Sequence, residues 1–358
     1  MSDFAYGNTR LHARRAELLD AADYEGLLGD DIDGLLAALQ RTPYGPDVER
    51  ARDQAALRRL HKTIRAHLGR SLEEMRGFYA DRARELVNLM LSRFDLQNVV
   101  LMLRARAGTE RPADEALGAL LPMGWLVEPL AREILRGPEL AGAVDLLARG
   151  TPVTEQAGAL RAALGEYERT RNLAALEQAV LAAHATRVTA TLASAGPEAR
   201  TLLRFARRAI DERNLVVALR LRDARMSGAA VDVSPERTLL PGGFAPVAGF
   251  AAAVRAPAPV AAISALPRIA GSGWQAPLER WAASGDLPLL ERDLERRRIV
   301  DAAALFRMGD PLTLDVPIAF AAAKQSEARN LRLLGEASAR GIHPEVVRRE
   351  LLWPEAHA

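Results

Sequence analysis

Cysteine is absent from this 358-residue chain. That excludes a disulfide framework, a thiolate metal site and a cysteine nucleophile. Lysine is almost missing: only Lys62 and Lys324 occur, so nearly all of the 48 basic residues are arginine. Neither lysine follows a glycine-rich loop, so the Walker-type phosphate cradle, which needs closely spaced glycines followed by Lys-Ser/Thr, is excluded as well. Aromatic residues make up only 5 %. No apolar core follows the early Arg10, Arg14 and Arg15, so no secretory signal is read at the N-terminus. The longest charge-free run, Thr238 to Val254, is broken by Pro241, Gly242, Gly243, Pro246 and Gly249. It is therefore not expected to span a membrane, which takes about 20 mostly apolar residues.

What remains is apolar and charge-balanced. Half the chain (49 %) is hydrophobic, enough for substantial cores and against disorder. The pI near 9.2 rests on 48 basic against 46 acidic side chains. With arginines interleaved among Asp and Glu, nucleic acid is not an expected partner. Ala, Leu, Arg and Glu dominate and strand-like alternation is scarce, which predicts an all-α fold. Leu68, Leu72, Met75, Tyr79, Ala83, Leu86, Met90 and Phe94 recur at steps of three or four and define one helix face. Unbroken to Arg106, that helix would extend about 60 Å, at about 1.5 Å per residue, with Gly77 as a candidate break.

Helices of this length prompt a search for repeats. Three segments contain an acid three residues before an asparagine: Asp95 and Asn98, Asp211 and Asn214, Glu327 and Asn330. Both intervals between the asparagines are 116 residues (214 − 98 and 330 − 214). Glu85 and Asn88 show the same four-residue pattern, so the weight lies in the equal spacing and shared neighbours. Leu120-Leu121-Pro122-Met123-Gly124-Trp125 recurs as Leu239-Leu240-Pro241-Gly242-Gly243-Phe244, and the stretch ending at Thr42-Pro43 as the one ending at Thr151-Pro152. A Leu-Glu pair at Leu72, Leu176 and Leu290 is read as opening a helix in each copy. These repeats predict three related helical domains, 1–116, 117–236 and 237–358, with linkers at Gly108–Pro112 and Ser227–Asp232. Gly309-Asp310-Pro311 reads as a stop, an N-cap and a first-turn proline, Gly341 as a helix end, and His343-Pro344 as the start of a helix reaching Leu352.

No constellation carries an evident reaction. His12, His61, His67, His184, His343 and His357 contain no i, i+4 pair and no His-Glu-x-x-His, so surface positions are expected for them rather than metal ligation. Gly242, Gly243 and Gly249 lack a preceding strand and dinucleotide-loop spacing, so a turn is the better reading. The pairs Glu73-Glu74 and Asp30-Asp31 read as solvated charge. The acid-x-x-Asn groups share a helix face and are read as a structural motif of the repeat, not as a ligand site. Arg104 and Arg220, like Arg106 and Arg222, also align at 116 residues; they are candidate partner contacts, with packing the preferred role. The third copy departs, with Glu336 and Ser338 at those positions. No catalytic residue, cofactor or metal is assigned.

Together, the opening Tyr6-Gly7-Asn8-Thr9-Arg10-Leu11, the Leu35-Leu36 helix leading to Thr42-Pro43-Tyr44, the three asparagine helices and the closing Arg348-Arg349-Glu350-Leu351 resemble a known family. It is that of the C subunits of V-type and A-type rotary ATPases, whose eukaryotic counterpart is the d subunit. The resemblance covers nearly the whole chain. It implies a funnel of three helical domains about a pseudo-three-fold axis. The protein would be a non-catalytic socket on the cytoplasmic side of the membrane, joining a central shaft made of the D and F subunits to a rotor ring of proteolipid c-type subunits and transmitting torque. The alternative is a cytosolic helical-repeat scaffold; its usual periods of about 33 to 47 residues fit a 116-residue interval poorly. A helical-cleft enzyme has only scattered acids and histidines to support it.

Overall fold

The computed structural model describes residues 4–108, 113–137, 139–228, 234–269 and 271–353. Among them the regular elements are helices, with no strand, so the chain is all-α. It packs as two compact units, Met1–Arg136 with Ile299–Ala358, and Gly137–Arg298. The linker residues 109–112 and 229–233 lie outside the described residues; Gly108 and Gly228 beside them close helices with φ of +72° and +81°.

The first unit opens with α1 (Ala5–Arg14), α2 (Ala21–Leu27), α3 (Ile32–Leu39), α4 (Gly45–Arg50), α5 (Ala56–Gly77), α6 (Asp81–Arg106), α7 (Ala113–Ala119) and α8 (Glu128–Arg136). Asp20 caps α2, exchanging hydrogen bonds with Asp23, and Asp31 caps α3 through the Gly34 N–H. The apolar stripe read from Leu68 to Phe94 is buried throughout, but it runs over two helices, because the chain turns between Gly77 and Asp81. Leu72 consequently sits inside α5 and opens nothing. Among the described residues one helix, α6, is long and apolar enough to cross a membrane by length and composition; 61 % of its most apolar window is buried inside the fold.

The second unit comprises α9 (Leu140–Gly150), α10 (Thr154–Thr170), α11 (Leu173–Ala193), α12 (Arg200–Met226), α13 (Pro235–Thr238), α14 (Val247–Val254), α15 (Pro259–Ala265), α16 (Gln275–Ser284) and most of α17 (Leu287–Ala303). Helices α10 and α11 form a hairpin, turned by Arg171 in the left-handed region (φ 56°) and capped by Asn172. Leu215 and Leu219 of α12 meet Phe250, Leu278, Trp281 and Leu290 in the core.

The chain returns to the first unit with α18 (Leu305–Met308), α19 (Asp315–Ala339) and α20 (Pro344–Glu350). Helix α19 starts at Asp315, not at Pro311: Asp310 caps a turn by accepting from the Leu312 N–H, and the helix follows that turn. It packs along α5 so closely that a Cβ on Gly335 would collide with the Leu60 side chain. Gly341 (φ +62°) ends it as read, and His343 caps α20. Helix α20 stops at Glu350, short of Leu352, whose backbone is held elsewhere.

Candidate functional site: three asparagine clips and a buried ionic cluster

The asparagines of α6, α12 and α19 are all buried and do the same thing. Asn98 Nδ2 donates to the Leu121 carbonyl (2.9 Å), and its Oδ1 accepts from the Leu121 N–H (3.0 Å). Asn214 makes the same pair with Leu240 (2.9 and 2.7 Å). Asn330 makes it with Leu352 (2.8 and 2.9 Å). A side-chain amide presents one donor and one acceptor side by side, as a peptide group does, so it can satisfy both backbone groups of a residue that belongs to no helix. Each clipped leucine is buried, where unpaired backbone groups would be costly. The third partner escaped the sequence reading, although Leu351-Leu352-Trp353-Pro354 echoes Leu120-Leu121-Pro122 and Leu239-Leu240-Pro241 at a similar distance from its asparagine.

The acids behave alike in two copies. Asp95 Oδ1 accepts from the Trp125 N–H (3.1 Å), and Asp211 Oδ2 from the Phe244 N–H (2.8 Å). A Cβ on Gly124 or Gly243 would fall inside these carboxylates, which explains glycine before each aromatic residue. Burial pushes the Asp211 carboxyl above its ordinary range, against the opposing pull of the Phe244 and Ala245 N–H groups. Glu73, read as solvated charge, instead accepts from the Gly124 N–H (2.7 Å).

Glu327 does something else. One methylene longer than Asp, it accepts from the Leu19 N–H (2.9 Å), the Tyr44 hydroxyl (2.6 Å) and Lys324 Nζ (2.8 Å), all inside the core of the first unit. Lys324 Nζ also lies 3.1 Å from His67 Nε2, and the His67 ring stacks on Tyr44 at 3.7 Å between centroids. On the far side of the ring, Asp47 Oδ2 is 3.4 Å from Nδ1 and accepts from Arg70 (2.6 Å). Surface placement of His67 is thus wrong: the ring is buried, because Tyr44, Asp47 and Lys324 enclose it. Burial holds its pKa below the usual imidazole range, and the Lys324 charge adds to this against the Asp47 hydrogen bond. Burial would raise Asp47, but hydrogen bonds from His67 and Arg70 prevail and hold it low. Tyr44 is pushed up by burial and by Glu327. The residues of this cluster lie at 44, 47, 67, 70, 324 and 327; only the fold joins them.

The opening motif is also structural. Gly7 leaves room for the Tyr79 ring, and Asn8 accepts from the Tyr79 hydroxyl (2.6 Å) while donating to the carbonyls of Pro311 (2.7 Å) and Thr313 (3.0 Å). Of the aligned arginines, Arg104 and Arg106 are partly buried and Arg220 is exposed, paired with Glu291. Arg222 is buried over the Trp281 ring and paired with Asp223 (2.6 Å). Glu336, which breaks the arginine pattern, lies 3.4 Å from His61 and pairs with Arg340. Among the described residues, no group of three or more His, Asp or Glu side chains is placed to hold a metal ion.

Residues 7–350 match the model of the ATP synthase (C/AC39) subunit family. The chain is 32 % identical over 363 aligned positions to the V-type ATP synthase C subunit of a Thermus thermophilus strain, covering 98 % of this chain and 99 % of that one. It is 26 % identical to the V-type ATP synthase C subunit of Deinococcus radiodurans (88 % and 89 % covered) and 22 % to the A-type ATP synthase C subunit of Thermococcus kodakarensis (96 % and 89 %). With a match over nearly its full length and a helical core built on the residues that carry the resemblance, this chain belongs to the ATP synthase C/AC39 subunit family, that of the C subunits of V-type and A-type ATP synthases.

Proposed function

We propose that this chain is the non-catalytic central-stalk adaptor of a V/A-type rotary ATPase. It would lie at the cytoplasmic face of the membrane, receive the shaft made of the D and F subunits, and seat on the ring of c-type subunits. The observation that carries this reading is the triple clip, set in a chain of this family. Three asparagines 116 residues apart, one on each of three long helices, each hold a following leucine by two buried hydrogen bonds. Such joints fix the backbone that leaves a long helix, as a torque-bearing part needs, and they create no reactive group. The three copies, 1–116, 117–236 and 237–358, are read as three related domains arranged as a funnel. Arg104, Arg106 and Arg220, which keep some accessible surface, are the proposed partner contacts; Arg222 is committed to the core.

Co-purification tests the proposal. The tagged chain, expressed with the other subunits of the complex, should retain D and F and sediment with ring-containing membranes, and the isolated chain should not hydrolyse ATP. Recovery of the folded chain free of D, F and ring subunits would overturn the adaptor reading in favour of an independent scaffold, and ATPase activity of the isolated chain would overturn the non-catalytic one.

A further inference from the structure

We propose that the seam between α5 and α19 is an acid-sensitive latch, closed while His67 is neutral and released when it takes a second proton. The argument is one of donor geometry. Nε2 faces the Lys324 ammonium at 3.1 Å, and Nδ1 has the Arg70 guanidinium at 3.0 Å and the Asp47 carboxylate at 3.4 Å. Ammonium and guanidinium groups only donate. Each ring nitrogen thus faces a donor-only cation, but Nδ1 also has an acceptor, the Asp47 carboxylate, whereas Nε2 has none; that difference assigns the single ring proton to Nδ1, with Nε2 accepting from Lys324. A second proton, on Nε2, would point straight at a cation with which it shares no acceptor. The two states of the ring are thus compatible and incompatible, respectively, with the contact that joins the helices.

The surrounding groups do not relieve the conflict. On α19, Lys324 is already paired with Glu327, whose remaining oxygen is taken by the Leu19 N–H. From the segment before α4, the Tyr44 hydroxyl occupies Glu327 as well. On α4, Asp47 is engaged by Arg50 and Arg70. A cavity of about 10 Å³ borders His67 and Lys324, with Arg14, Glu17 and Glu74 in its wall. That is room for about one water, which gives protons a place beside the ring. A second histidine lies on the same seam: His61 of α5 is 3.4 Å from Glu336 of α19, with the charges of Arg65 and Arg332 also acting on it. Burial keeps its pKa below the usual range, though Glu336 favours its charged form, so it is the weaker partner of the latch.

Hydrogen exchange of the full chain, corrected for the intrinsic pH dependence of exchange, is the test. One histidine that must stay neutral in the closed state, and is ordinary when released, favours opening about ten-fold between about pH 7.5 and about pH 5.5. Peptides from α19 and the facing part of α5 should lose about that much protection, while those of the second unit keep theirs. His67→Gln, whose amide can accept from Lys324 and donate to Asp47 but cannot be protonated, should remain closed at both pH values. His184→Gln, in α11 of the second unit, should leave the α19 response as it is. A ring ¹⁵N spectrum should show the Nδ1–H form at neutral pH, and this readout stands even where a variant fails to fold. Equal protection of α19 at the two pH values, simultaneous loss across the chain, an unchanged response in folded His67→Gln, or an Nε2–H ring would each overturn the latch.

Discussion

Replacing Asn214 by alanine removes the clip of the second unit and nothing else of comparable size. The amide donates to the Leu240 carbonyl at 2.9 Å and accepts from the Leu240 N–H at 2.7 Å. Both partners are main-chain groups of a buried residue followed by proline, so they cannot turn into a helix to find new partners. Each buried group left without a partner costs about 1–3 kcal/mol, and partial water entry brings the total for the pair to about 2–4 kcal/mol. For a unit of this size that corresponds to a fall in Tm of about 5–15 °C. Trp274 and Trp281 sit in the core with Leu215 and Leu239, the neighbours of the clipped residues, so urea unfolding followed by their fluorescence reports on the right region. Trp125 and Trp353 would be replaced by phenylalanine to isolate that signal. Asn214→Asp should also destabilise, because it keeps the acceptor but sets a carboxylate oxygen against the Leu240 carbonyl. A loss below about 1 kcal/mol in Asn214→Ala would refute the reasoning, since it would mean that the leucine backbone is satisfied without the amide.

Three further outcomes follow from the same geometry. Gly124→Ala should cost more than about 2 kcal/mol in a urea melt, because its φ of +75° disfavours a side chain and the new methyl overlaps the Asp95 carboxylate; adding Asp95→Ala should recover part of the loss. Lys324→Met should destabilise the first unit by about 3–5 kcal/mol, as expected when one partner of a buried ion pair is removed, and Lys324→Met with Glu327→Gln should be milder; Trp353 fluorescence during unfolding reads both. Burial and Arg187 hold His184 down at about 4, so its neutral ring favours the folded second unit. That contribution is fully present above the unfolded value near about 6.5 and is lost as pH falls toward about 4, at up to about 1.4 kcal/mol per pH unit; unfolding curves of His184→Gln against the parent across this range should show the slope removed.

Much of this was legible along the chain. The 116-residue interval located all three clip asparagines, and the recurrence of Leu120–Trp125 as Leu239–Phe244 contained the glycine before each aromatic residue without pointing to its cause. The equivalence of Leu352 with Leu121 and Leu240 was there to be read, but Trp353 separates it from the proline and masks the pattern. Helix ends were harder. Asp310-Pro311 has the composition of a helix start, yet Asp310 is used in a turn and α19 waits until Asp315. The buried ionic cluster was not legible at all: surface was the sensible expectation for His67, and Lys324 looked like an isolated base after three alanines.

The sequence alone predicted an all-α fold, located the three equally spaced asparagines and carried the family resemblance, because composition, spacing and motif order are properties of a line. The tertiary structure alone decided how the segments are packed. The repeats predict copies that meet near 116 and 236, whereas packing joins Met1–Arg136 to Ile299–Ala358. That joining carries α19 against α5 and brings Tyr44, Asp47 and His67 to Lys324 and Glu327. Charged groups so far apart in the chain have no local signature of partnership; their burial is tolerable only when all arrive together, and that is settled by three-dimensional packing.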